Sequence, residues 1–126
     1  MKTKLQVPLE SVEDEIFANY LRAKGYYFSH IANETSIKNW GYLNKMKRLG
    51  KNRGVPDYLV IVPDKSGNTR LLFVEMKRKG ASAKSLSKEQ NEWLEALNNC
   101  VGVKAYWADG ADRAIETVEY IRKCSI

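Results

Sequence analysis

GVPDYLVIVPDKSGNTRLLFVEMKRK, residues 54–79, decides the fold. It holds two apolar runs, Tyr58 to Val62 and Leu71 to Val74, separated by PDKSGNT. The Pro, Asp, Ser, Gly and Asn of that connector mark a tight turn between strands, so the stretch is predicted to be a hairpin. Side chains alternate across a strand, which puts Leu72, Val74 and Met76 on one face and Phe73, Glu75 and Lys77 on the other. The first face is core, whereas the second carries an acid and a base where a bland core strand would simply stop. In a hairpin the start of the first strand lies beside the end of the second, and Asp57 is therefore expected close to Glu75. Two carboxylates held together repel, and one takes up a proton unless a cation sits between them. A hard divalent ion meets that requirement, because magnesium is commonly held by one or two carboxylates, with water and phosphate oxygens completing its shell.

Pro56-Asp57 followed by Glu75-Met76-Lys77 resembles the PD-(D/E)XK nuclease signature, and GVPD with the later SKEQ segment is similar to its VRR-NUC branch. The resemblance runs from about Glu13 to Trp107. It implies an α/β fold with a mixed central sheet flanked by helices, built on a restriction-endonuclease-like core. It also implies a metal-dependent deoxyribonuclease, in which Asp57, Glu75, the Met76 carbonyl and Glu13 hold Mg²⁺ or Mn²⁺. Lys77 then orients the attacking water or stabilises charge on the phosphate. Small stand-alone members from bacteria and phages look like dimeric cutters of four-way junctions or flaps, so the implied partners are branched DNA and a second copy. A module of the same fold that binds nucleic acid without cutting it is the alternative.

Composition agrees with one domain over residues 1–126. The chain is 44% hydrophobic and 29% charged, with apolar material for a single core, and its net charge of +6 suits an acidic partner. No run reaches the ~18 apolar residues of a membrane helix, and MKTKLQVPLESVEDE lacks the apolar centre of a signal peptide, so a cytoplasmic protein is expected. Cys100 and Cys124 form no CxxC pair and read as reduced thiols.

Ahead of the hairpin, a helix is predicted after a lead-in ending at Glu10. Ser11 caps it, Glu13, Asp14 and Glu15 favour its positive end, and Gly25 stops it. Ile16, Phe17, Tyr20 and Leu21 form the buried stripe, and Glu13 falls at its N-terminal edge, which selects it over Glu15 as the acid of the first helix. Tyr26 to Ile31 is the first strand. His30 at its end is structural or catalytic, and Glu34 touches a metal, a base or neither. Ser36 to Arg53 is partly helical and strongly basic, with Lys45, Lys47, Arg48, Lys51 and Arg53 as candidate phosphate contacts. Trp40 and Tyr42 can stack on unpaired bases or turn inward, and Trp40 is assigned to the core as the usual place of a tryptophan.

Beyond the hairpin, Lys79 and Lys84 flank the motif strand as further phosphate contacts. Ser87 and Gln90 make a capping box for a helix reaching Asn98 and Asn99, with Trp93, Leu94 and Leu97 inward. The resemblance also places a glutamine near the catalytic centre, which makes Gln90 a candidate water or phosphate contact. Val101 to Ala108 is a strand, Asp109-Gly110 a turn, and Arg113 to Lys123 a closing helix with Ile115, Val118 and Ile121 or Tyr120 inward.

Overall fold

A computed structural model describes residues 10–31 and 39–124. The elements run α1 (Glu10–Lys24), β1 (Tyr27–His30), α2 (Trp40–Arg48), β2 (Tyr58–Pro63), β3 (Thr69–Lys77), a 3-10 turn (Ala83–Ser85), α3 (Lys88–Asn98), β4 (Val103–Asp109) and α4 (Ala111–Lys123). The strands form one sheet in the order β1-β2-β3-β4. β1 and β2, and β2 and β3, pair antiparallel, while β4 joins β3 in parallel. A parallel neighbour requires a crossover, and α3 supplies it.

The hairpin forms as the turn chemistry predicts. Asp64 Oδ1 accepts from the amide and hydroxyl of Ser66 at 2.9 and 2.7 Å and from the Asn68 amide at 3.1 Å. That turn sets the register Tyr58 opposite Val74. The next pair toward the open end is thus Asp57 and Glu75. The Ser66 hydroxyl, followed by the neighbouring amides and Arg70, holds the Asp64 carboxyl below its ordinary range.

One face of the sheet carries the main core. Tyr58, Val60, Val62, Leu72, Val74 and Met76 pack there against Phe17 and Leu21 of α1 and Ala114, Val118 and Ile121 of α4. Each large side chain so buried contributes about 1.5–3 kcal/mol. The two helices are tied by the Tyr20 hydroxyl, which donates to Glu119, and Glu119 also pairs with Lys24 and Arg122. Tyr106 reaches from β4 to the Ala114 carbonyl at 2.9 Å. On the opposite face α3 lies along β4, with Leu94 buried. Asn98 clamps its end by bonding both the amide and the carbonyl of Ala105 at 2.8 Å.

Several expectations shift by a turn or a face. α1 already includes Glu10, so Ser11 lies inside the helix and does not cap it. Phe17 and Leu21 are fully buried, but Ile16 is 45% exposed because the sheet and α4 cover a narrower stripe than periodicity allows. In α4, Ile121 turns inward and Tyr120 outward. Trp40 is 77% exposed, not core: α2 has no buried residue and, among the described residues, packs closely on no strand. Glu34 lies outside the described residues, as does the lead-in up to Leu9.

Candidate active site

At the open end of the hairpin, Asp57 Oδ2 accepts the Met76 amide at 2.9 Å, which stitches the entry to β2 onto the end of β3. Glu75 is 4% exposed, and its carboxyl lies within hydrogen-bonding reach of Asp57. Its Oε1 accepts from Gln90 Nε2 at 2.7 Å, while its Oε2 is buried with no donor beside it. Burial first and the Asp57 charge second push the Glu75 carboxyl up to about 9, and burial likewise raises Asp57. Two acids share this corner, and only one can ionise comfortably without a cation.

Gln90 ties the constellation together. Its Oε1 accepts from Lys77 Nζ at 3.1 Å and from the Ser87 amide at 2.9 Å, and its own amide donates to Ser87 Oγ at 3.1 Å. The capping box predicted at the start of α3 is present. The same side chain that closes it also reaches the acid and the base of the motif strand. α3 can approach this closely because residue 54 is glycine. A Cβ there would lie 2.6 Å from the Glu89 carbonyl carbon and 2.8 Å from the Gln90 amide nitrogen, and the backbone adopts φ +93.

The first helix brings acids to the site, though by other residues than expected. Glu10 and Asp14, one turn apart, face the pair: Glu10 acts electrostatically on both Asp57 and Glu75, and Asp14 on Asp57. Burial followed by the Asp57 charge raises Asp14, whose Oδ1 is buried without a partner. Burial, then Asp14, raises Glu10. Glu13, the residue the sequence selects, is buried about a quarter-turn away. Its Oε1 lies 3.0 Å from where a Gly110 Cβ would be, at the positive end of α4. The buried stripe that pointed to Glu13 leads into the α4 contact, and the neighbouring face looks onto Asp57.

His30 is the residue whose placement sequence reasoning left most open. It stands opposite Tyr58 in the β1–β2 ladder, its ring edge-on to that tyrosine with centroids 4.8 Å apart. It also lies close enough to Glu10, Asp14 and Asp57 to act on these carboxyls electrostatically. Strand-end register was the available signal.

The structure therefore brings together Asp57, Glu75, Lys77 and Gln90, with the Met76 backbone between them. It places the cations Lys45, Lys47 and Arg48 on the last turn of α2, Lys51 and Arg53 on the segment leading into Asp57, and Lys79 and Lys84 after β3. Among the described residues no three His, Cys, Asp or Glu side chains converge tightly enough to hold a metal alone. The donor set that is present, two crowded carboxylates with one orphaned oxygen, fits a hard ion that completes its shell with water and phosphate. No helix of the described residues is long and apolar enough to cross a membrane.

The domain is a mixed sheet with helices on both faces and an acid-acid-lysine cluster at its open end. The VRR-NUC domain model matches residues 10–112, and the chain belongs to that family. Among solved structures, a protein described as a VRR_NUC domain protein superposes with a TM-score of 0.71 at 22% identity, covering 93% of this chain and 90% of that one. No match was found among curated proteins.

Proposed function

We propose that the protein is a metal-dependent DNA endonuclease that hydrolyses phosphodiester bonds in branched DNA. The observation that carries this reading is the buried Asp57–Glu75 pair with an unpartnered oxygen, beside a lysine held by the same glutamine. Asp57, Glu75 and the Met76 carbonyl would hold Mg²⁺ or Mn²⁺, with Glu10 and Asp14 adding negative potential. When bound, such an ion supplies Lewis acidity toward a phosphoryl oxygen and acidifies water for in-line attack.

The residues of the chain do the rest. Gln90 fixes Glu75 through one oxygen and leaves the other available. Lys77, held toward Gln90 Oε1, presents a cation to the scissile phosphate and stabilises the charge added in the transition state. The cations of α2 and of the segment up to Arg53 neutralise phosphates next to the cut. One site cuts one strand, so resolving a four-way junction takes two copies, and a homodimer is part of the proposal.

Alanine at Asp57, Glu75 or Lys77 is expected to abolish cleavage and leave DNA binding measurable. Metal-dependent cutting retained in all three variants would refute the assignment. Comparing linear duplex, flap and four-way junction at matched salt tests the substrate, with equal rates removing structure specificity.

A further inference from the structure

The α2 helix carries, beside the cations already assigned to phosphates, an exposed tryptophan that the chemistry at Asp57 and Glu75 does not use. Its half-buried side is Tyr42, Leu43 and Met46. At 100° per residue Trp40, Asn44, Lys47 and Arg48 fall on the other side, one or two turns apart. Asn39 caps the helix by accepting the Tyr42 amide at 3.1 Å, so the first turn, and Trp40 with it, is held in place. Trp40 is 77% exposed, and Lys47 and Arg48 follow about 10 Å further along the same side.

A tryptophan this bare on a basic helix is costly to leave in water and suits one kind of partner. A folded protein partner would ask for a broader apolar patch. A paired duplex hides its base faces and offers phosphates alone. A strand with unpaired nucleotides offers both, a base to stack on the ring and phosphates for the cations beyond it. The helix also joins the site directly, since the segment from Lys51 to Asp57 leads from its C-terminus into β2.

We infer that Trp40 is a stacking platform for an unpaired base, and that α2 thereby selects DNA with single-stranded character. The inference rests on the nuclease reading for its biological use, but the binding surface itself can be tested without cleavage.

The test measures binding by fluorescence anisotropy with chelator present, so that no cutting occurs. The full chain is titrated onto a labelled duplex and onto the same duplex carrying a short gap of unpaired nucleotides. The wild type is expected to favour the gapped substrate. W40A is expected to lose roughly 5- to 100-fold on the gapped DNA, the range for one base–aromatic stack, and at least fivefold more than it loses on the duplex. W40F, which keeps an aromatic face, is expected to retain most of the preference, and matching melting curves for the three proteins confirm that they are folded. Equal losses on both substrates, or none, would overturn the inference. So would a W40A protein that changes its sedimentation from dimer to monomer without changing the preference, which would give the surface to a second copy of the chain. Wild-type protein that shows the preference but cuts nothing with Mg²⁺ or Mn²⁺ supports the platform and removes only the nuclease reading.

Discussion

Gln90 and Glu75 are joined by a 2.7 Å bond from the side-chain amide of one to the Oε1 of the other, and that bond couples a helix cap to the proposed metal-binding carboxyl. The two roles separate by substitution. Gln90→Glu keeps a residue that closes a capping box but sets a third carboxylate against Glu75, whereas Gln90→Ala removes both functions. Gln90→Ala is expected to lose about 1 kcal/mol of stability with the cap. Single-turnover cleavage by Gln90→Glu is expected to fall roughly 100-fold, far more than its melting temperature alone accounts for.

The raised Glu75 carboxyl makes a signed prediction about pH. Its folded value lies well above the ordinary 4.5, so between about 4.5 and about 9 the folded chain binds more protons than the unfolded one. Without metal, stability therefore falls as pH rises through that window. Glu75→Gln removes the Glu75 share of the slope, leaving that of Asp57, Asp14 and Glu10, and is expected to melt higher than the wild type at pH 8, by on the order of 3–10 °C. A divalent ion bound there would displace the Glu75 proton, so its midpoint concentration in a thermal-shift titration is expected to drop about tenfold per pH unit between pH 6 and 8. Glu75→Gln should lose that response.

Gly54 permits the close approach of α3, and its substitution is expected to damage fold and site together. In Gly54→Ala the new carbon would lie within 3 Å of the Glu89 and Gln90 backbone at a φ of +93, a cost of roughly 2–4 kcal/mol. Denaturant unfolding reads the loss of stability. Cleavage measured well below the melting temperature is expected to drop as well, because Gln90 moves with its helix.

Asn98 gives a contrasting control. Its side chain satisfies both backbone groups of Ala105, and Asn98→Ala leaves these to find other partners at a cost of about 1–3 kcal/mol. The site lies at the other end of α3. Cleavage by the folded fraction is expected to remain within about twofold of wild type.

The α2 cations predict a salt dependence. Each phosphate contact contributes about −0.9 to the slope of log K against log salt on duplex DNA. The double variant Lys47→Ala, Arg48→Ala is expected to flatten that slope by about 1 to 2, read from anisotropy titrations across salt concentrations. An unchanged slope would place the phosphate backbone elsewhere.

Which features could be read from the chain depended on the range of the interaction that decides them. The hairpin, the convergence of Asp57 with Glu75 and the Ser87–Gln90 capping box all follow from neighbours or from strand alternation, and these local rules held. Which arc of a helix is covered is a tertiary matter, and here local pattern misled. Ile16 kept helical spacing yet met no partner, and Glu13 shared the buried stripe but was drawn to the α4 terminus. Trp40 was placed inside by the habits of its residue type, although among the described residues no element packs closely enough on α2 to enclose it. The link from Gln90 to both Glu75 and Lys77 spans a helix and a strand, and spacing alone does not carry it.

The turn closed by Asp64 and Asn68 lies roughly 20 Å from Asp57, at the far end of β2. Were the connector to gain or lose one residue, the ladder could close one step out of phase. The apolar rows would trade faces, and Asp57 would no longer stand across from Glu75. Such a molecule could still be compact yet chemically dead. The count of residues in a solvent-facing bend therefore governs what fraction of any preparation is competent, and active-site titration of turn variants would reveal it where a melting curve would not.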